Sequence, residues 1–201
     1  MDATDWDRRY AGGTLLWSAE PNRFLVAETS ELPPGRALDL ACGEGRNAVW
    51  LAERGFRVTG VDFSAVGIEK ARGLAAERGV SCDWIVSDLL DYRPEATAYD
   101  LVILFYLQVP ELDRRPILQA AAAAVAPGGT FLLVAHDLSN LADGYGGPSD
   151  PAVLYTAGGV AEVLADGGLA VERAERVNRP VETPDGERIA LDVLVRAKRA
   201  A

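Results

Sequence analysis

Ala37-Leu38-Asp39-Leu40-Ala41-Cys42-Gly43-Glu44-Gly45-Arg46-Asn47, with Val58-Thr59-Gly60-Val61-Asp62 downstream, decides the fold. An apolar strand enters a turn with glycine at two alternate positions, a helix begins, and a second strand ends on an acid. Glycine is required where backbone approaches a ligand with no Cβ in the way, and a carboxylate at the next strand tip can accept from both hydroxyls of a ribose. The layout predicts a crevice for an adenosine-containing cofactor.

Outward from that stretch, strand-like and helix-like segments alternate, which predicts a parallel sheet covered on both faces. Strands are expected at 37–41, 57–62, 82–87, 100–105 and 130–136, and helices at 46–54, 65–77, 114–125 and 156–166. Gly79 stops the second helix, and Pro127-Gly128-Gly129 the third. Residues 139–151, rich in Gly and Pro, read as a long loop on the rim of an active site. Two β-rich runs, 171–177 and 188–196, flank the turn signal Thr183-Pro184-Asp185-Gly186 and predict a closing antiparallel hairpin. The fold class expected is α/β, Rossmann-like and doubly wound, with a mainly parallel seven-stranded sheet and a C-terminal antiparallel hairpin.

At 201 residues and 49% hydrophobic content, the chain can bury a full core and is expected to form a single domain over 1–201. Its 30 acidic side chains against 20 basic ones repel phosphate backbones, so no nucleic-acid partner is expected. The start, Met1-Asp2-Ala3-Thr4-Asp5, lacks the pattern of a signal peptide, and no apolar run approaches the roughly 20 residues that span a bilayer. A cytoplasmic protein without a membrane partner is the expectation. Cys42 and Cys82 are read as free thiols, and one His with two scattered Cys implies no metal site.

Gly43-Glu44-Gly45-Arg46-Asn47-Ala48 also satisfies the G-x-G-x-x-A of a nicotinamide dinucleotide site. Three features point elsewhere. Asp39 sits near the end of a strand that dinucleotide folds keep apolar, placed to hold an ammonium group. Ser87-Asp88-Leu89 puts another carboxylate beside the crevice, within reach of an adenine amino group. No His or Lys-Tyr pair stands where hydride chemistry needs one. An acid for the amino-acid end, one for ribose and one for adenine describe S-adenosylmethionine.

With those residues in view, the chain resembles the class I S-adenosylmethionine-dependent methyltransferases along nearly its whole length. The resemblance rests on 39–47, Val61-Asp62-Phe63-Ser64, Ser87-Asp88-Leu89, Tyr99-Asp100-Leu101-Val102 and Ala126-Pro127-Gly128-Gly129. Within that family the glycine turn, the segment Thr183-Pro184-Asp185-Gly186-Glu187-Arg188-Ile189, and Trp6-Asp7-Arg8-Arg9-Tyr10 with Trp17 look like the tellurite-resistance methyltransferases, relatives of the thiopurine-type small-molecule enzymes. Where those enzymes carry a His-Arg-Thr-Asp-type segment, Pro180-Val181-Glu182-Thr183 stands here, so only Gly186 and Arg188 carry over.

The resemblance implies methyl transfer from S-adenosylmethionine to a small-molecule acceptor (a thiol, an amine or a chalcogen oxyanion) by in-line displacement. A hydroxyl acceptor would need a base. A non-catalytic S-adenosylmethionine-binding regulatory protein is the alternative. By the same resemblance, backbone at Ala41, Gly43 and Gly45 lines the methionine portion, with Asp39 behind it and Arg46 and Asn47 opening the helix. Asp62 holds the ribose and Phe63 and Ser64 border the adenine, whose edge Ser87, Asp88 and the Leu89 backbone read. Leu104, Phe105 and Tyr106 lie where sulfonium and acceptor meet. Residues 1–35 form an N-terminal helical lid segment, in which Tyr10 offers a π face to the sulfonium. The catalytic candidates are His136, Tyr106 and Arg188. His136, at the carboxyl end of its strand, is either a proton acceptor or a satisfied structural histidine.

Overall fold

The computed structural model describes residues 2–201. Met1, the first residue of the expected lid segment, lies outside the described residues. Seven strands make one sheet: β1 (Arg36–Leu40), β2 (Arg57–Asp62), β3 (Asp83–Val86), β4 (Tyr99–Phe105), β5 (Val125–His136), β6 (Leu169–Thr183) and β7 (Gly186–Arg199). Their order is β3-β2-β1-β4-β5-β7-β6. β1 to β5 run parallel, β7 lies antiparallel beside β5, and β6 pairs antiparallel with β7. The strand order reverses between β1 and β4, and in open α/β sheets the ligand crevice lies outside the strand ends at that point.

Helices cover both faces, as the alternation predicts. On one face α2 (Arg23–Thr29) and α3 (Arg46–Glu53) bury Leu25, Ala48 and Leu51 against Leu101, Ile103 and Phe105 of β4. On the other, α5 (Glu111–Ala124) and α7 (Ala157–Asp166) bury Ile117, Leu118, Val160 and Leu164 against Val102 and Leu104. The odd and even residues of β4 thus serve opposite layers, the period of two that a fully buried strand requires. α4 (Ala65–Glu77) packs beside α3 through Leu74 and Ala75. The remaining helices, α1 (Ala3–Tyr10) and α6 (Asn140–Asp143), lie near the carboxyl edge of the sheet.

Three boundaries differ from the sequence expectation. β5 begins at Val125 rather than 130, because Pro127-Gly128-Gly129 forms a bulge between the Tyr99–Val125 and Leu101–Thr130 pairs. The loop expected over 139–151 contains α6, whose Asn140 accepts from the Leu191 N–H (2.7 Å) and donates to the Gly146 carbonyl (2.7 Å). The hairpin is also much longer than 171–177 and 188–196. β7 pairs with β5 only as far as His136–Asp192, so Gly186 to Leu191 pair with β6 alone and the ribbon projects beyond the carboxyl edge. Hydropathy gives no sign of this extension, since the outer pairs are mostly exposed and held by backbone bonds.

The expected lid segment divides in two. α2 belongs to the core, with Leu25 and Thr29 fully buried and Glu28 paired to Arg173 and Arg196. Only α1 and the strap after it lie over the crevice. No helix among the described residues is long and apolar enough to cross a membrane.

Candidate functional site

β1 ends and the chain turns sharply through Ala41 (φ 58°), Gly43 (φ 54°) and Gly45 (φ 81°), the last serving as the N-cap of α3. Ala41 is one of three non-glycine residues at positive φ among the described residues, and Tyr106 (φ 54°), at the tip of β4, is another. The two flank the point where the strand order reverses, and strained backbone of this kind gathers at ligand sites. A Cβ on Gly45 would stand 2.7 Å from that of Ala71 and 2.8 Å from the Trp84 ring, so close packing as well as φ requires glycine there.

Asp39 shares the α3 side of β1 with Ala37 and is 1% exposed. Its Oδ2 is enclosed and has no hydrogen-bond partner among the described residues. Burial, and secondarily the charge of Asp62, pushes its carboxyl up to about 8, against the pull of the Ala48 backbone and the Arg46 guanidinium. A cation placed beside such a group favours its ionised form. Arg46, half-buried at the first turn of α3, takes part in none of the ion pairs or side-chain hydrogen bonds found among the described residues. Burial lowers its pKa, and Arg179 adds to the effect.

Asp62, 5% exposed at the tip of β2, accepts from the Gly43 N–H (2.8 Å) and the Ser64 N–H (2.9 Å). These bonds fasten the glycine turn to β2, and a carboxylate with about four acceptor positions keeps capacity for two hydroxyls. Burial nevertheless raises its pKa. Tyr10 roofs the same spot: it is 5% exposed, and a Cβ on Gly43 would lie 2.8 Å from its hydroxyl.

Other expected site residues have structural partners. Asn47 accepts from the Asn22 N–H (2.9 Å), tying α3 to the start of α2. Ser64 is fully buried, caps α4 at Gly67 and donates to Asp7 of α1. Asp88 is exposed and its Oδ1 accepts from the Leu90 N–H, the turn-capping role that competes with adenine recognition. Ser87 is half-buried and Leu89 buried beside it, while Phe63 stands half-buried after Asp62. Leu104 and Phe105 are core residues of opposite layers, so only their backbone is available to the crevice. Arg188 is exposed on the projecting ribbon, roughly 13 Å along the strand from Asp192, and is not brought to the site.

The sequence reading missed four residues that the structure places here. Glu44, 4% exposed, accepts from the Leu16 N–H (2.9 Å) and Trp17 N–H (3.2 Å) and pairs with Lys70 (3.1 Å), so it clamps the strap over the turn. Asp192 is fully buried midway along β7, where its Oδ2 accepts from the Tyr106 hydroxyl (2.7 Å) and Arg179 Nε (2.6 Å). His136 Nδ1 lies 3.3 Å from Asp192 Oδ1, and Asn22 Nδ2 lies 3.5 Å from the Tyr106 hydroxyl. The hairpin does deliver an arginine, but it is Arg179. Among the described residues no group of three or more His, Cys, Asp or Glu is placed to hold a metal, and Cys42 and Cys82 are free.

Residues 37–129 match the family described as a methyltransferase domain. The 2-heptyl-1-hydroxyquinolin-4(1H)-one methyltransferase of Mycobacteroides abscessus is 32% identical over 118 residues, covering 57% of this chain and 52% of that protein. The chain spans about half the length of the curated relatives it matches. A protein solved in connection with the conversion of a disulfide bond into a thioacetal group during echinomycin biosynthesis superposes with a TM-score of 0.77 at 24% identity, over 98% of this chain and 92% of that one. The TehB-like SAM-dependent methyltransferase of Corynebacterium glutamicum gives 0.61 at 21% identity, over 98% and 95%. The two structures share this fold from end to end.

Proposed function

We infer that this chain is a class I S-adenosylmethionine-dependent methyltransferase and that it moves a methyl group from S-adenosylmethionine to a small organic acceptor, a reading supported by the methyltransferase-domain match over residues 37–129 and by the curated relatives. The observation that carries the inference is the enclosed, unpartnered Asp39 Oδ2 beneath a glycine turn whose other side is the Asp62 carboxylate. One acid suits the ammonium of the methionine portion and the other suits the ribose hydroxyls. Arg46, without an anionic partner at the mouth of the same turn, suits the methionine carboxylate.

The cofactor supplies a methyl group already activated on a sulfonium. What remains for the protein is alignment and exclusion of water. Asp39, Arg46 and Asp62 fix the two ends of the cofactor, the positive-φ turn through Gly43 and Gly45 sets the path of the backbone between them, and Tyr10 with the Glu44-clamped strap covers it. Acceptors enter at the carboxyl ends of β4 and β5, beside the amino-terminal half of β7, where Tyr106, His136 and Arg179 stand. The ring hydroxyl in the name of the M. abscessus relative's substrate supports an acceptor of small aromatic type.

Calorimetry with S-adenosylhomocysteine tests the assignment. Binding to the wild type is expected, and Asp62→Ala weakens it by about 1–3 kcal/mol, the cost of leaving hydroxyl partners unpaired. Tight binding of NAD with none of S-adenosylhomocysteine would overturn it.

A further inference from the structure

His136 and Asp192 face each other across the β5–β7 ladder on the α3 side of the sheet. Both Oδ1 of Asp192 and Nδ1 of His136 are enclosed, and neither has a well-aligned hydrogen bond to any described residue. At 3.3 Å the two lie within ion-pair reach of each other, and buried polar groups of this kind are ordinarily paired. The opposite oxygen of Asp192 is fully committed to Tyr106 and Arg179, so Oδ1 alone is left for the imidazole.

The ring itself is held from both sides. Tyr106 stacks at 4.8 Å with a 49° tilt, and a Cβ on Gly147 would come within 3.1 Å of Nδ1. Nε2 is not among the enclosed polar atoms and makes no hydrogen bond to the described residues. An imidazole that donates through Nδ1 to a carboxylate carries its lone pair on Nε2, here the less enclosed of the two ring nitrogens. Burial by itself would raise the pKa of Asp192, but the donors His136, Arg179 and Tyr106 outweigh it and keep the group ionised. The charged or titratable groups around the imidazole are Tyr106 just after β4, Asp192 on β7 with the Arg179 of β6 that it holds, and Asp137 next in the chain.

We propose that His136 is the general base of this enzyme, with Asp192 as its positioning residue, and that the acceptor therefore presents a weakly acidic O–H group: a phenol, an enol or an N-hydroxy compound. The proposal rests on the methyltransferase assignment above. The acceptor oxygen forms the new bond to the methyl carbon, the C–S electron pair returns to sulfur, and the O–H proton passes to Nε2 and then to water. A thiol or amine reacts without this device, whereas a hydroxyl is a poor nucleophile until its proton is taken.

The chain has one histidine, so its imidazole gives a single set of nitrogen resonances. In the full-length protein with S-adenosylhomocysteine bound, these are expected to report an Nδ1–H tautomer that Asp192→Asn shifts. Turnover is then followed with radiolabelled methyl donor on catechol and 1-hydroxy-2-pyridone, with thiophenol as the contrast. Both O–H probes are expected to be methylated, and His136→Gln slows them about 10²-fold or more while leaving S-adenosylhomocysteine affinity and thermal melting near wild type. The loss shrinks as pH rises past the pKa of the probe, which then ionises unaided. Methylation of thiophenol alone, no methylation of either O–H probe by a protein that binds S-adenosylhomocysteine, O–H turnover indifferent to His136→Gln, or an unprotonated Nδ1 would each overturn the proposal. Failure of the wild type to bind S-adenosylhomocysteine would instead remove the methyltransferase assignment.

Discussion

Asp39 has the most to reveal about the site, because its environment is wrong for the charge it normally carries. With a carboxyl pushed up to about 8 by burial, it is mostly protonated in the ligand-free protein at pH 7. An ammonium group placed beside it favours the ionised form, so binding of S-adenosylhomocysteine releases a proton. Titration calorimetry at pH 7 in buffers of different ionisation enthalpy is expected to give an apparent heat that depends on the buffer, a dependence that Asp39→Asn removes. Buffer-independent heats for the wild type would mean that Asp39 does not meet the ammonium. Asp39 and Asp62 were legible in the sequence because each interrupts or ends an apolar run at a strand tip. Glu44 was not, since the residue between two turn glycines usually faces solvent, and its partners here are backbone N–H groups of a strap far back in the chain.

At the level of elements, the glycine turn is held by two neighbours: β2 through Asp62, and the strap between α1 and α2 through Glu44. Glu44→Ala leaves two strap N–H groups without their acceptor and removes the ion pair of Lys70, which keeps its bond to the Thr14 carbonyl, a local loss of about 1–3 kcal/mol. Amides of residues 11–22 are expected to exchange faster and protease to cut within them, while protection of β1, β4 and β5 is unchanged. S-adenosylhomocysteine affinity falls with it, since the strap carries Trp17 beside Tyr10. Wild-type protection of 11–22 in this variant would show that the clamp is not what holds the strap. The alternation of the sequence located every strand, yet it left the hairpin short. Asn178, Arg179, Pro180 and Glu182 interrupt any apolar pattern beyond Val177, and what extends the strands is backbone pairing that hydropathy does not report.

Across the whole molecule, β7 inserted between β5 and β6 is what brings Asp192 against His136 and Arg179 into the crevice. No local pattern encodes that placement: Asp192 stands in a run of buried residues as an isolated acid whose partners come from β4, β5 and β6. The site therefore combines buried carboxylates of opposite behaviour, and stability should report their sum. Asp39 and Asp62 have raised pKa values, mainly through burial, so between about pH 4 and the folded value of each the native chain binds more protons than the unfolded one. Stability declines as pH rises through that window, by at most about 1.4 kcal/mol per pH unit for each group. Asp192 has the opposite sign. Its pKa is lowered, so its contribution is present above about pH 4 and is lost only as pH falls through its folded value. The ligand-free protein is thus expected to melt at a lower temperature at pH 8 than at pH 5, and Asp39→Asn to flatten that slope and raise the melting temperature at pH 8. Saturating S-adenosylhomocysteine brings its ammonium to Asp39, so its thermal shift should be larger at pH 8 than at pH 5. A ligand-free melting temperature that climbs steadily from pH 5 to pH 8, and does so equally in Asp39→Asn, would mean that the acid beneath the glycine turn is solvated in the folded chain.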